Sequence, residues 1–227
     1  MKRIMLGLLW VFIAMPLYSQ GLTLVMREVG PTGATAPMLQ TDRTHARLDI
    51  PSLLSQVLYD STTKTLQVLV PLLRNYKEYT PASIPQSPPL GGGQRQTAPS
   101  AAGPITYKKT GTSKVGNWTC TTYDGLRGSE KVAEVCAAEG AAIDLKAADF
   151  AIVQQAIDLA KRVAPTDMIE RIPAYGTVAS QGFAGFPVRR VSYLMGQPVS
   201  TAELVEIRRE AVPAANFAVP AGFQKMP

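Results

Sequence analysis

Trp118-Thr-Cys-Thr-Thr-Tyr123, Lys131-Val-Ala-Glu-Val-Cys136 and the apolar-periodic run from Leu145 to Val163 decide the fold, because they hold both cysteines and the main helical pattern. The two cysteine runs have strand character and lie symmetrically about Gly128. A three-residue turn, Arg127-Gly128-Ser129, would pair Leu126 with Glu130 and set Cys120 opposite Cys136. Opposed residues in an antiparallel pair have Cα atoms roughly 4.5 to 5.5 Å apart, within reach of a disulfide. A cross-strand disulfide is expected, with two buried free thiols as the alternative. The period of two puts Trp118, Cys120, Val132 and Cys136 on one face, and Tyr123, Ala133 and Val135 on the other. Neither state makes the cysteines catalytic, since the chain has no Cys-x-x-Cys and its one histidine is distant in sequence.

The helix is expected over Leu145 to Val163, capped by Asp144 and stopped by Pro165. At 100° per residue, Leu145, Ile152, Val153, Ala156, Ile157, Leu159, Ala160 and Val163 fill one side, and Gln154, Gln155, Asp158, Lys161 and Arg162 fill the other. That apolar arc is wider than the stripe of roughly 100° a helix needs on a flat surface. It suits the concavity of a curved sheet. Plain core packing accounts for the arc; the functional reading is a face lining a cavity for an apolar ligand. The candidate lining is Trp118, Ile152, Val153, Ala156 and Leu159.

Met1 to Gln20 reads as a secretory signal peptide: Lys2 and Arg3, an apolar run from Ile4 to Ala14, a break at Pro16 and small Ser19 near the cut. The run is shorter than the ~20 apolar residues of a membrane span, and no cysteine follows it to carry a lipid anchor. A periplasmic or secreted chain, residues 21–227, is expected, with no transmembrane segment. The hydrophobic content of 46% suits one globular domain. The net charge of +6 falls to +4 without Lys2 and Arg3, too mild a balance to indicate nucleic acid. The doublets Arg189-Arg190 and Arg208-Arg209 lie in expected strands, where neighbours face opposite ways, so solvated faces are expected. A weak attraction to anionic lipid headgroups, hence peripheral membrane contact, is the alternative.

Leu22 to Val29 is a first strand, ended by Gly30-Pro-Thr-Gly33. In the next, Thr44, Ala46, Leu48 and Ile50 face one way, and Arg43, His45, Arg47 and Asp49 form an exposed row. His45 alone cannot make a metal site. Gln56 to Asp60, the turn Ser61 to Lys64, and Thr65 to Val70 read as strand, turn, strand, and Asn75 to Thr80 adds another strand with Tyr76 and Tyr79. Short strands with polar turns indicate an antiparallel meander.

Residues 81–104 hold six prolines, four glycines and one charge, Arg95, and are expected to be a flexible loop within the domain. Ala164 to Gly185 is a second irregular stretch that could fold over a cavity mouth. Phe186 to Met195 is a strand and Gly196-Gln-Pro198 a turn. For Thr201 to Glu210 a capping-box pattern, Ser200-x-x-Glu203, competes with strand; pairing with Phe186 to Met195 favours strand. Phe217, Val219 and Phe223 are expected to dock on the core.

Three segments carry a family likeness: the meander Val57 to Tyr79, the strand Lys109 to Tyr123 with its Gly-Asn-Trp-Thr-Cys120, and Phe186-Pro-Val-Arg-Arg-Val191 with the ending Phe217-Ala-Val-Pro-Ala-Gly-Phe-Gln-Lys-Met226. Together they resemble an uncharacterised family of exported bacterial proteins, a domain of unknown function similar to the lipoprotein carriers LolA and LolB. The resemblance implies an α+β fold: an open, strongly curved antiparallel half-barrel with the main amphipathic helix on its concave side. The insertion at 81–104 departs from the family's pattern.

The leading expectation is a non-enzymatic envelope protein that binds a lipid or acyl chain, or an acylated protein, in a half-barrel cavity. The alternative is an interaction or assembly module with a protein partner and no small ligand. No enzyme is expected, because Gly-x-Ser-x-Gly, His-Glu-x-x-His and phosphate-binding glycine loops are all missing from the sequence. No catalytic residue, metal ligand or cofactor is assigned.

Overall fold

The structure, a computed structural model, describes residues 21–83, 104–163 and 182–227. The expected leader and most of the stretches 81–104 and 164–185 lie outside the described residues. The strands are β1 (Leu22–Gly30), β2 (Gly33–Thr35), β3 (Met38–Thr41), β4 (His45–Ile50), β5 (Ser55–Asp60), β6 (Thr65–Val70), β7 (Asn75–Tyr79), β8 (Thr106–Val115), β9 (Trp118–Arg127), β10 (Glu130–Ala138), β11 (Phe186–Leu194), β12 (Gln197–Arg208) and β13 (Gln224–Lys225). They form one sheet ordered β13-β7-β6-β5-β4-β3-β1-β12-β11-β10-β9-β8, with β2 paired to β1 alone. Only β13, on β7, is parallel. Two antiparallel meanders, β3 to β7 and β8 to β12, therefore meet along β1 and β12, as an α+β chain with one α-helix among the described residues. Residues 201–208 are strand, as expected from their pairing.

The β5–β6 hairpin forms where alternation placed it. The Asp60 carboxylate accepts the Thr62 and Thr63 amides and the Thr63 hydroxyl, closing the turn. The links β4–β5 and β6–β7 are twins. Each is one 3-10 turn, Pro51–Leu53 or Pro71–Leu73, followed by a left-handed residue, Leu54 (φ 51°) or Arg74 (φ 48°), whose amide donates to the proline carbonyl. Proline suits a first helical position, where no donor is needed. A non-glycine left-handed residue costs roughly 1 kcal/mol.

The cysteine hairpin departs from the expected register. Its turn has two residues, since Arg127 pairs with Glu130, and a bulge then leaves Val132 unmatched, so Cys136 faces Thr122. Each change shifts the ladder by one residue, and together they restore the parity. Both cysteines stay on one face, in a diagonal relation, and form a disulfide with Cα atoms 5.3 Å apart. Tyr123 and Val135 lie in a separate cluster with Phe183, on the opposite face, as the alternation required. Further bulges leave Val188 and Val205 unmatched.

The helix, α1, spans Ala151–Val163, six residues short of the expected start. Gly140–Ile143 and Ala147–Phe150 are 3-10 turns, and Asp144, at φ 52°, ends the first of them instead of capping a helix. Asp149 accepts the Lys146 amide at 2.7 Å and pairs with Arg209 at 2.6 Å, while Arg209 also hydrogen-bonds the Asp144 carbonyl. Three arginines of the basic doublets are thus ion-paired, not merely solvated: Arg189 with Glu134, Arg208 with Glu206 and Glu210, and Arg209 as above.

The main core joins the two meanders. Leu22, Leu24 and Met26 of β1, Leu39, Ala46, Leu48, Ile50 and Leu66, the two cysteines, and Phe186, Val188 and Leu204 pack with Val153, Ala156 and Ala160 of the helix. The opposite face of β3 to β7 is not the exposed row expected from His45, Arg47 and Asp49. A strap, residues 213–226, crosses it: Asn216 accepts from Arg47 and donates to Gln40, and His45 stacks on Phe217 at 5.2 Å. The strap ends as β13 on the β7 edge, where Lys225 pairs with Glu78. Phe217, Val219 and Phe223 accordingly sit half-buried on this face, outside the main core where they were expected.

Candidate functional site

Of the residues singled out from sequence, Ile152, Val153, Ala156 and Leu159 lie on α1 and Trp118 lies on β9. Val153 and Ala156 are buried in the main core; Ile152 and Leu159 pack against it half-buried, as do Ile157 and Val163. Trp118, at the start of β9, is half-buried against the same core. Phe150, just before the helix, stacks on Phe186 at 5.6 Å, and the Tyr59 hydroxyl donates to the Gln155 side chain at 3.3 Å. The helix is thus held at its start by Arg209 and Asp149 and along its length by apolar contact. Burial works against the Asp149 charge, but hydrogen bonds from Arg209 and the Lys146 amide outweigh it and hold the carboxyl below its ordinary range.

Beside the disulfide, β9 and β10 carry an ion cluster on the cysteine face. Lys131 bonds Asp124 at 2.7 Å and Glu134 at 2.9 Å, and lies 4.9 Å from the Tyr193 ring centre. Partial desolvation opposes its charge, yet hydrogen bonds to the two carboxylates raise its pKa. Glu134, held by Lys131 first and also by Arg189, is lowered correspondingly. The cluster fixes Asp124, Lys131, Glu134 and Arg189 in mutual pairs.

Sequence reasoning missed a second concavity. A pocket of about 460 Å³ lies between the outer face of β4 to β7 and the strap, lined by His45, Leu58, Asp60, Thr63, Thr65, Gln67, Tyr76, Glu78 and Phe217 to Val219. Several of its polar groups are engaged locally. Glu78 bonds Lys225 and Gln67, and the first of these does most to lower its pKa. His45 Nδ1 faces both Asp42, at 3.0 Å, and the Thr44 hydroxyl, at 2.9 Å. Carboxylate and hydroxyl share one ring nitrogen, which closes a turn and does not relay a proton between them. The hints in the sequence were Tyr76, an aromatic on an expected strand, and Phe217, which has no periodic context.

Among the described residues no group of three or more His, Cys, Asp or Glu could hold a metal ion, and no helix is long and apolar enough to cross a membrane.

A family model described as a domain of unknown function (DUF4412) matches residues 40–223. No curated protein matches the chain. Among solved structures the chain is similar to an uncharacterized conserved protein from Thermus thermophilus, at 10% identity and a TM-score of 0.49, covering 92% of this chain and 90% of that one. It is also similar to part of PNGF-II, at 11% identity and a TM-score of 0.38, over 91% of this chain and 30% of that one. A LolA superfamily protein from Nitrosomonas europaea is similar at 10% identity and a TM-score of 0.26, over 90% and 91% of the two chains. All three scores lie below 0.5, and no ligand or activity passes from these proteins to this chain.

Proposed function

The chain belongs to the DUF4412 family, and from that premise we propose that it is a non-enzymatic protein of the bacterial envelope that binds a lipid or acyl chain between α1 and the concave side of the sheet. The observation that carries this reading is the incomplete cover of the helix. Ile152, Ile157, Leu159 and Val163 contact the core yet remain partly exposed, although burying such a side chain fully is worth about 1.5 to 3 kcal/mol. Apolar surface left at a seam is surface a hydrophobic ligand can cover. Bulges at Val132, Val188 and Val205 bend and twist their strands, which supports a curved sheet with the helix inside it. In this reading α1 stands where the ligand goes, Val153 and Ala156 are the inner contacts, and Ile152, Leu159 and Trp118 form the rim. The disulfide and the leader-like first 20 residues support an oxidising compartment, periplasmic or secreted.

The assembly-module reading has less support, because both sheet edges carry features that discourage an added strand. The strap pairs with the start of β7, and β8 carries Lys108, Lys109 and Lys114, charges that guard an edge against added strands. Native mass spectrometry of the protein isolated from the periplasm, with organic extraction and lipid analysis, tests the proposal. A stoichiometric lipid, lost in Ile152→Asp, is expected. An empty protein that also fails to take up a fluorescent acyl-chain probe would sink it.

A further inference from the structure

The strands β4, β6 and β11 run in one direction, because each is separated from the next by antiparallel partners. The links that follow them therefore lie at one end of the sheet. Those links carry most of the large apolar side chains left in water among the described residues: Leu54 at 63% exposure, Leu72 at 78%, Leu73 at 65%, Leu194 at 61% and Met195 at 85%. The twin turns are also level with one another. Ile50 pairs with Ser55 and Val70 with Asn75, and the β5–β6 ladder aligns Gln56 with Leu69, so the two tips stand side by side, two strands or roughly 10 Å apart.

These side chains do nothing for the fold. They bury little, and Leu54, Arg74 and Met195 occupy left-handed backbone where glycine or asparagine is the unstrained choice. Their value lies outside the molecule. The turns Pro51–Leu54 and Pro71–Arg74 hold no acidic residue and one exposed cation, Arg74. They are also convex tips rather than a groove, so they could enter a soft, anionic phase more readily than they could fit a shaped protein surface.

We propose that the twin turns Pro51–Leu54 and Pro71–Arg74 form a membrane-contacting edge, with Leu54, Leu72 and Leu73 entering the headgroup region and Arg74 meeting anionic lipid. The Leu194–Met195 tip is a second apolar contact at the same end. The edge stands on the exposed turns alone, whether or not a ligand is carried at the helix seam.

The test is co-sedimentation of the periplasmically isolated protein with vesicles of phosphatidylcholine, with and without phosphatidylglycerol. Partition is expected to be stronger with phosphatidylglycerol. Leu72→Ser/Leu73→Ser is expected to lower it at least roughly tenfold, each leucine's transfer being worth that order. Arg74→Gln is expected to lose the phosphatidylglycerol preference, about fivefold for one cation near the surface, while keeping weak binding to phosphatidylcholine. All these side chains are exposed, so circular dichroism should be unchanged. Variants that partition like the parent, or a parent that binds neither vesicle, would overturn the proposal. So would self-association that the double variant abolishes without vesicle binding, because a second copy would then be the occupant. Acyl-probe uptake without vesicles is read separately, and the double variant is expected to retain it.

Discussion

Replacing both cysteines by alanine, Cys120→Ala/Cys136→Ala, opens a bridge that spans a sequence separation of 16. For a loop of that length the chain-entropy relation gives about 3 kcal/mol at 25 °C. Both side chains are in the main core, so loss of the sulfur atoms adds a small cavity cost on the order of 1 kcal/mol. Unfolding entropy for a chain of this size is near 0.4 kcal/mol per degree, which converts the bridge alone to a fall of about 7 °C in the midpoint. Reduction of the parent isolates the bridge from the cavity, since it keeps the sulfur atoms. The assay is urea unfolding of oxidised parent, reduced parent and double variant, followed by far-UV circular dichroism and by Trp118, which lies two residues from Cys120. Intact mass first verifies that the oxidised parent is two hydrogens lighter than the reduced form. A reduced parent within about 1 kcal/mol of the oxidised one would refute the reasoning, because the bridge would then not constrain the unfolded chain as the relation requires.

Other outcomes follow from the same geometry. Asp149→Asn is expected to destabilise the protein by about 1 to 2 kcal/mol near neutrality. The native Asp149 pKa is lowered, so its contribution is present above the unfolded carboxylate pKa and fades as pH falls through the native value; parent and variant melting curves should converge in acid. Gly185→Ala places a Cβ 2.5 Å from the Ala138 carbonyl oxygen at φ +92°, and a loss of about 2 to 3 kcal/mol is expected in denaturant titration. Phe217→Ala removes the ring on His45 and should loosen the strap, seen as faster amide exchange of β13 and of β7's edge while α1 keeps its protection.

Strands with one buried face were legible in the sequence. Leu66, Val68 and Tyr59 point to the helix side at a period of two, and Ser61 to Lys64 announced their turn. Where both faces are covered the signal vanishes. Met38–Thr41 is buried along nearly its whole length, since the strap's Asn216 holds Gln40 from outside; it has no alternation to read, and its strand was missed. His45 was misplaced for the same reason, because the strap that covers it comes from the far end of the chain. The helix was legible in its apolar arc but not in its start. Alanines and Leu145 between Gly140 and Phe150 continue a helical pattern, yet the left-handed Asp144 and the pull of Arg209, more than 50 residues on, break it into 3-10 turns. Of the candidate lining, Val153 and Ala156 were recognisable as core, and Ile152 and Leu159 as the edge of the same arc. Bulges leave no mark on composition, so the cysteine pairing was right in face and wrong by two residues in register.

The join between the two meanders sets an order of events. Within each meander neighbouring strands are close in sequence, except β10 and β11, which the helix region separates, and close neighbours can pair as soon as they exist. Strand β1, however, finds β12 only across a separation that runs from Thr23 to Arg208. Its closure must wait for almost the entire chain. The first strand to emerge is among the last to be locked on both sides, and until then the half-made core that depends on Leu22, Leu24 and Leu204 stays open. A chain built this way remains pliable through most of its synthesis and becomes rigid in one late step.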